Sequence, residues 1–334
     1  MSEVTVVVPV WNRRDLLPPL FARLRRQSLP AAEILVVDNG STDGAAEAAE
    51  GLGARVIRLG RNAGFAYAVN RGIEACGTDW LAILNNDVEP SEGWLEGLGA
   101  ALRSPDVWLA VGKVLDAGRR DRIDGTWDAL CRGGCAWRVG HGRPDGPEFS
   151  QPKIVSFAPM TAALFRRELF DRVGLLNESL GSYLEDVEFG LRCASQGFAG
   201  LYVPEAVAWH AGSATLGRWH PEVVRRMARN QVLLVAGHYP SPLPIRYVWS
   251  VLVAQGLWGL VALRHRVGMA YLRGLASAFR DFRRVRAHAK THPRAILDIL
   301  DRGDREIWEI QRRTGFDFYW RMYFLLTSVR RIDT

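Results

Sequence analysis

Apolar and polar positions follow two different periods over the first 115 residues. Val4–Val10 is an unbroken, mostly β-branched run, the pattern of a strand buried on both faces. Asp15–Gln27 places Leu16, Leu17, Leu20, Phe21 and Leu24 at helical spacing, and Pro30 follows. Ile34–Val37 predicts a second strand, stopped by the turn cluster Asp38-Asn39-Gly40-Ser41. After a short Ala-rich helix come a strand at Arg55–Leu59 and a helix over Gly64–Cys76. Phe65, Ala68, Val69, Gly72 and Ile73 lie on one side of that helix. Trp80–Leu84 reads as a strand. Ser91 is the expected cap of a helix that buries Trp94, Leu95, Leu98 and Leu102, and Trp108–Val111 is a further strand. Strand-helix alternation of this kind predicts an α/β fold with a mostly parallel central sheet flanked by helices.

Beyond residue 115 the pattern changes. Residues 116–152 are rich in Gly, Arg and Asp and predict loops and short hairpins; residues 154–210 return to α/β patterning, and helix dominates from about 213. The expected organisation is a catalytic-type domain over 1–235, with halves at 1–115 and 116–235, and a helical region over 236–334. Within the latter, Tyr247–Leu263 is an uncharged run at the short edge of a membrane span. Arg264–Arg286 sets Val267, Ala270, Leu275, Ala278, Phe279, Phe282 and Val285 at three- and four-residue spacing among seven arginines, the pattern of an interfacial basic helix. The plainer alternative is a helical pair packed on a globular body, with its arginines solvated.

Composition narrows the class. The chain has 334 residues, 48% hydrophobic and 24% charged, which excludes a disordered chain, a collagen-like repeat or a small disulfide scaffold. Four dispersed cysteines suit a reduced, cytoplasmic protein. Cys131 and Cys135 lack a second pair for structural zinc and read as loop cysteines. The N-terminus carries no signal-peptide pattern. The net charge of +7 is unevenly placed, since residues 236–334 hold 17 Lys/Arg against 8 Asp/Glu. That asymmetry predicts an acidic partner. Because the arginines alternate with Leu, Trp and Val at helical spacing, an anionic membrane surface is expected rather than nucleic acid.

Acidic residues recur at strand ends, where open α/β sheets bind ligands. Asp38 follows a buried strand; it suits either an Asx turn or a hydrogen bond to a nucleobase or ribose. Asp87, in Leu84-Asn85-Asn86-Asp87-Val88, is a second carboxylate at that edge, and a hard cation held by substrate phosphates needs only one or two such ligands. Glu185, Asp186 and Glu188 open a helix. The helix dipole accounts for one or two acids there, not three beside Tyr183. His210 ends the strand-like Ala206–Trp209 and suits a structural hydrogen bond or a metal or phosphate contact.

Val7-Val8-Pro9-Val10-Trp11-Asn12, Val36-Val37-Asp38-Asn39-Gly40-Ser41, Arg61-Asn62-Ala63-Gly64-Phe65 with Asn70, Asn85-Asn86-Asp87, Glu185-Asp186-Val187-Glu188, and Trp209-His210 with Ser213 occur in this order. Together they resemble the family 2 glycosyltransferases of the GT-A fold, most of all the bacterial rhamnosyltransferase-type branch, over roughly residues 3–235. The resemblance implies inverting, metal-dependent sugar transfer from a nucleoside-diphosphate donor, a dTDP- or UDP-sugar, to a saccharide or polyprenyl-linked acceptor. It assigns donor binding to Pro9, Asn12, Asp38, Asn62, Gly64, Asn70 and Asn86. It assigns Mn²⁺ or Mg²⁺ to Asp87 and His210, with Asn85, and the general base to Asp186, supported by Glu185 and Glu188. Two departures stand out: Asp87 alone remains of an Asp-x-Asp metal motif, and Thr161 stands where a Gly is usual. A nucleotidyltransferase would want a Gly-rich phosphate loop after the first strand, where Pro9-Val10-Trp11-Asn12-Arg13-Arg14 has none.

Overall fold

The computed structural model describes residues 3–212, 217, 219–287 and 293–327; Ser213 lies outside them. The chain divides into two compact units, one of residues 1–128 and 138–215, the other of residues 129–137 and 216–334.

The first unit contains β1 (Val4–Val10), α1 (Leu17–Arg25), β2 (Glu33–Asp38), α2 (Ala45–Gly51), β3 (Arg55–Arg58), α3 (Phe65–Ala75), β4 (Trp80–Leu84), β5 (Val88–Pro90), α4 (Trp94–Leu102), β6 (Val107–Asp116) and β7 (Ile123–Gly125). Two short strands, β8 (Asp128–Leu130) and β9 (Ala136–Arg138), pair where the chain leaves and re-enters this unit. Then follow β10 (Lys153–Val155), β11 (Ala162–Arg166), α5 (Glu168–Val173), α6 (Glu185–Ser195) and β12 (Ala199–His210).

The sheet order is β10-β12-β6-β11-β4-β1-β2-β3, with β5 on β12 and β7 on β6. β3, β2, β1 and β4 are mutually parallel, and so are β6 and β12. β11 runs antiparallel to both β4 and β6, so those two point the same way. The carboxyl ends of β1, β2, β4, β6 and β12 therefore share one edge.

β1 is buried on both faces, which is why its apolar run does not alternate. Val6, Val8 and Val10 join Leu17, Leu20, Phe21 and Trp94 in one cluster. On the other face Val7 meets α3 at Gly72, where a Cβ would come within 2.3 Å of Val7 Cγ1. One local expectation changes. Ser91 does not cap α4 with its side chain; its carbonyl accepts from Trp94 N–H at 3.1 Å. Trp127 is buried against Tyr202.

The second unit holds α7 (Pro221–His238), α8 (Ile245–Arg264), α9 (Gly268–Ala287), α10 (Pro293–Thr314) and α11 (Phe318–Thr327) with the hairpin turn 129–137. The compact units divide at 215/216, and residue 235 lies inside α7. Cys131 and Cys135 stand in the turn between β8 and β9, as expected of loop cysteines, and are buried there; Tyr239 Oη donates to the Cys131 carbonyl at 3.3 Å. The apolar stripe read on α9 is divided: Val267, Ala270 and Ala278 are buried while Phe279 is 66% exposed, and the backbones of α7 and α9 close up at Gly274, where a Cβ would lie 2.4 Å from the Arg225 carbonyl oxygen.

Candidate active site

Two loops at the carboxyl edge are fixed against each other. Asn12 N–H donates to Ser41 Oγ at 2.8 Å, Thr42 N–H donates to Asn12 Oδ1 at 2.9 Å, and Ser41 N–H donates to Asp38 Oδ1 at 3.0 Å. Asp38 is thus a buried Asx-turn residue that also stands at the end of β2. Pro9 lies in β1 beside Val37. A third loop is built on amides. Asn39 Nδ2 donates to Asn62 Oδ1 at 3.2 Å and to the Gly64 carbonyl at 3.2 Å, and Gly64 takes a φ of 95°. Ala66 N–H then reaches the Gly181 carbonyl at 2.9 Å, which ties this loop to the entry of α6. Asn70 points elsewhere, since both ends of its amide hold the Leu176 backbone, at 3.0 and 2.9 Å.

Asp87 and His210 meet. His210 Nε2 lies 3.2 Å from Asp87 Oδ1, and its Nδ1 lies 2.8 Å from Asp124 Oδ2. All three side chains are largely buried. Burial pulls the imidazole pKa down, but the hydrogen bonds its N–H groups donate to Asp124 and Asp87 outweigh that and raise it to about 9. Burial likewise pushes Asp124 up, and the same hydrogen bond carries its carboxyl below the usual range. Asn85 and Asn86 occupy the turn after β4, where Asn85 N–H donates to the Thr161 carbonyl at 2.9 Å and Asn85 Oδ1 is buried without a hydrogen-bond partner.

A second cluster surrounds Asp186. Its Oδ1 accepts from Val187 N–H at 2.8 Å, and Oδ2 from Met160 N–H at 3.4 Å. Arg138 Nη2 lies 3.6 Å from Asp186 Oδ2, while Arg138 Nε donates to Asp128 Oδ1 at 3.3 Å and Nη1 to Thr161 Oγ1 at 3.1 Å. Thr161, the residue that departs from the family pattern, therefore supplies a hydroxyl that helps hold Arg138. Burial pushes the Asp128 carboxyl up to about 6, against the pull of Arg138. Tyr183 and Leu184, just before Asp186, both adopt left-handed φ, 74° and 67°, as do Asn12 and Arg13 at 60° and 59°. Non-glycine residues are strained in that region, and such strain gathers at functional sites. Glu188 faces away from this cluster, gripped by Arg192 at 2.9 Å, and Arg192 in turn holds the Val173 and Leu175 carbonyls. Glu185 is buried at the first position of α6.

Sequence reasoning missed Asp124, Asp128 and Arg138. They lie in the Gly-, Arg- and Asp-rich stretch 116–152, and no periodicity marks them. A density of acids beside arginines in a region short of apolar residues was the available signal.

Among the described residues no three His, Cys, Asp or Glu side chains converge to hold a cation by themselves. The donor set nonetheless suits a divalent ion completed by a ligand's phosphates. An imidazole backed by Asp124 adjoins the Asp87 carboxylate, and Asn85 offers an unused buried oxygen.

Residues 5–174 match the family described as glycosyl transferase family 2. The match ends before Asp186 and His210. The chain is 28% identical over 314 residues to the pre-mycofactocin glycosyltransferase of Mycobacterium tuberculosis, spanning 92% of this chain and 62% of that protein. It is also 28% identical over 254 residues to the N-acetylglucosaminyl-diphospho-decaprenol L-rhamnosyltransferase of the same organism, spanning 65% of this chain and 79% of that one. In fold it is similar to GalNAc-T7, solved with UDP, GalNAc and Mn²⁺, with a TM-score of 0.63, 17% identity, and coverage of 94% of this chain and 58% of that one. The α/β arrangement expected from the strand-helix alternation is the one observed.

Proposed function

This chain belongs to glycosyl transferase family 2, and on that premise we propose that it transfers a sugar, with inversion, from a nucleoside diphosphate to a hydroxyl of a saccharide or polyprenyl-linked saccharide. The contact that carries the reading is His210 Nε2 against Asp87 at 3.2 Å, with Asp124 behind it at 2.8 Å, at the carboxyl edge of the sheet. Asp38, Pro9 and Asn12 bind the base and ribose, and the Asn62–Gly64 loop lines the donor. Asp87 and His210, with Asn85, would hold a divalent cation, Mn²⁺ or Mg²⁺, which when bound offsets the charge growing on the departing diphosphate.

Asp186 takes the proton of the attacking hydroxyl. Two backbone N–H groups fix its carboxylate, and Arg138 keeps a positive charge beside it. A single attack from the face opposite the leaving group inverts the anomeric centre. Support for a rhamnosyl donor and a lipid-linked acceptor comes from the relative whose name specifies both. The positive excess of the second unit supports work on the inner face of the plasma membrane, as a peripheral protein with no nucleic-acid partner.

The test is a thermal-shift screen of nucleotide sugars with and without Mn²⁺. A dTDP- or UDP-sugar should raise the melting temperature with the cation and not with EDTA, since saturation at a hundredfold excess over Kd adds about 2.7 kcal/mol. No shift with any nucleotide sugar would refute donor binding. An equal shift in EDTA would remove the cation.

A further inference from the structure

The outward face of α8 is apolar along its length. Trp249 is 51% exposed, Leu252 61%, Leu260 61% and Leu263 64%, and Ile245 opens the same stripe. These positions recur at three- to four-residue steps, with Gly256 in the gap, so they share one face. No charged residue falls between Arg246 and Arg264. The opposite face, with Tyr247, Ala254 and Ala262, is buried. A helix on the surface of a soluble body normally turns polar side chains outward; α8 turns apolar ones both ways.

The stripe continues onto its neighbours within the same unit. Trp249 Nε1 donates to the Leu326 carbonyl at 3.0 Å, which sets the exposed Leu325 and Leu326 of α11 beside it. At the other end Leu263 packs on Gly268, so the exposed Met269 and Leu272 of α9 extend the surface. The rim on α8 and α9 is mostly basic. Arg264, Arg266, Arg273, Arg280 and Arg283 are exposed; the one acid of α9, Asp281, is bound by Arg229 at 2.9 Å, and Asp301 of α10 is bound to Arg246 at 3.2 Å.

We propose that this face is an interfacial membrane-binding surface, with α8 lying in the plane of an anionic phospholipid bilayer. The proposal rests on the membrane-surface reading of the second unit and specifies the face. The side chains of α8 enter the acyl boundary and the arginines meet the lipid phosphates. Charge decides the occupant. A second copy docked on the same face would bring arginine rims together, whereas a bilayer offers negative headgroups above an apolar interior. Geometry decides the orientation. α8 is long and apolar enough to cross a membrane, but α9 is joined to it through Tyr271 Oη and the Gln255 carbonyl at 2.7 Å. Crossing would draw Arg273 and Arg280 toward hydrocarbon, where charged side chains are strongly disfavoured.

The experiment is sedimentation of the full chain with vesicles of phosphatidylcholine containing a quarter phosphatidylglycerol, or of phosphatidylcholine alone. The chain should bind the anionic vesicles and leave them at alkaline pH, as a surface-bound protein does. Leu252→Asp/Leu260→Asp should raise the lipid needed for half-binding about tenfold or more. Both positions are exposed, so circular dichroism and melting should be unchanged; Trp249→Gln provides a second, milder variant. If the parent binds and neither variant weakens binding, the face is wrong while the membrane reading stands. If the parent ignores anionic vesicles, both fail. A parent dimer that these substitutions make monomeric, with vesicle binding intact, would assign the face to self-association and overturn the proposal. Resistance to alkaline extraction would overturn the in-plane orientation.

Discussion

Replacing Asp186 with Asn separates chemistry from folding. Asn is isosteric and keeps an oxygen for Val187 N–H, at 2.8 Å in the parent, so the start of α6 is preserved. The substitution loses the attraction to Arg138 across 3.6 Å. Arg138 stays paired with Asp128 and Thr161, so no cation is left stranded. For a pair partly open to water the loss is about 1 kcal/mol or less, a shift of a few degrees in melting. What disappears is proton abstraction. A positioned base is worth about 10²–10⁴-fold in rate, or about 3–5 kcal/mol of transition-state stabilisation. The two effects are separated by measuring turnover with an acceptor, donor affinity by calorimetry, and melting on the same protein. Asp186→Asn should lose at least about a hundredfold in kcat with donor Kd nearly unchanged. Retained turnover would refute the base assignment. Lost donor affinity with normal melting would move Asp186 to the donor or cation side.

Three further outcomes follow from the geometry. In EDTA, the His210 imidazole, near 6.5 unfolded and about 9 folded, should stabilise the protein fully below about pH 6.5 and progressively less as pH rises through 9; the difference between parent and His210→Gln in urea unfolding should shrink over that window, from at most about 3 kcal/mol, and a constant difference would contradict the paired imidazole. Asp124→Asn should weaken Mn²⁺ binding about 10- to 100-fold by removing the carboxylate behind His210 Nδ1; calorimetry showing equal affinity would take His210 out of the cation site. At Gly112 a Cβ would sit 1.9 Å from the Ala206 carbonyl oxygen, so Gly112→Ala should destabilise the β6–β12 pairing by about 1–3 kcal/mol, and an unchanged melting temperature would refute that close approach.

Much was legible in the chain itself, because local chemistry alone sets it. The apolar run Val4–Val10 could only be a buried strand, and the Asp38-Asn39-Gly40 cluster could only end one. The Glu185-Asp186-Val187-Glu188 segment carried its helical phase with it, although phase did not reveal that Arg192 would claim Glu188. Long-range pairing was not legible. Asp124 lies 86 positions before His210, and Arg138 lies 48 before Asp186, and no spacing rule connects them. Asp124 and His210 meet because β7 and β12 both pair with β6, and β5 on β12 brings Asp87 beside them. The second unit gives the same lesson. The sequence determined that helices in this region would be amphipathic and basic, since periodicity and charge are properties of the chain. Which apolar side chains would be covered was decided by packing: α9 buried Val267, Ala270 and Ala278 but left Phe279 exposed, and α8 kept an apolar face turned outward. Burial is a competition among faces for a limited interior, and only the assembled helices hold its outcome.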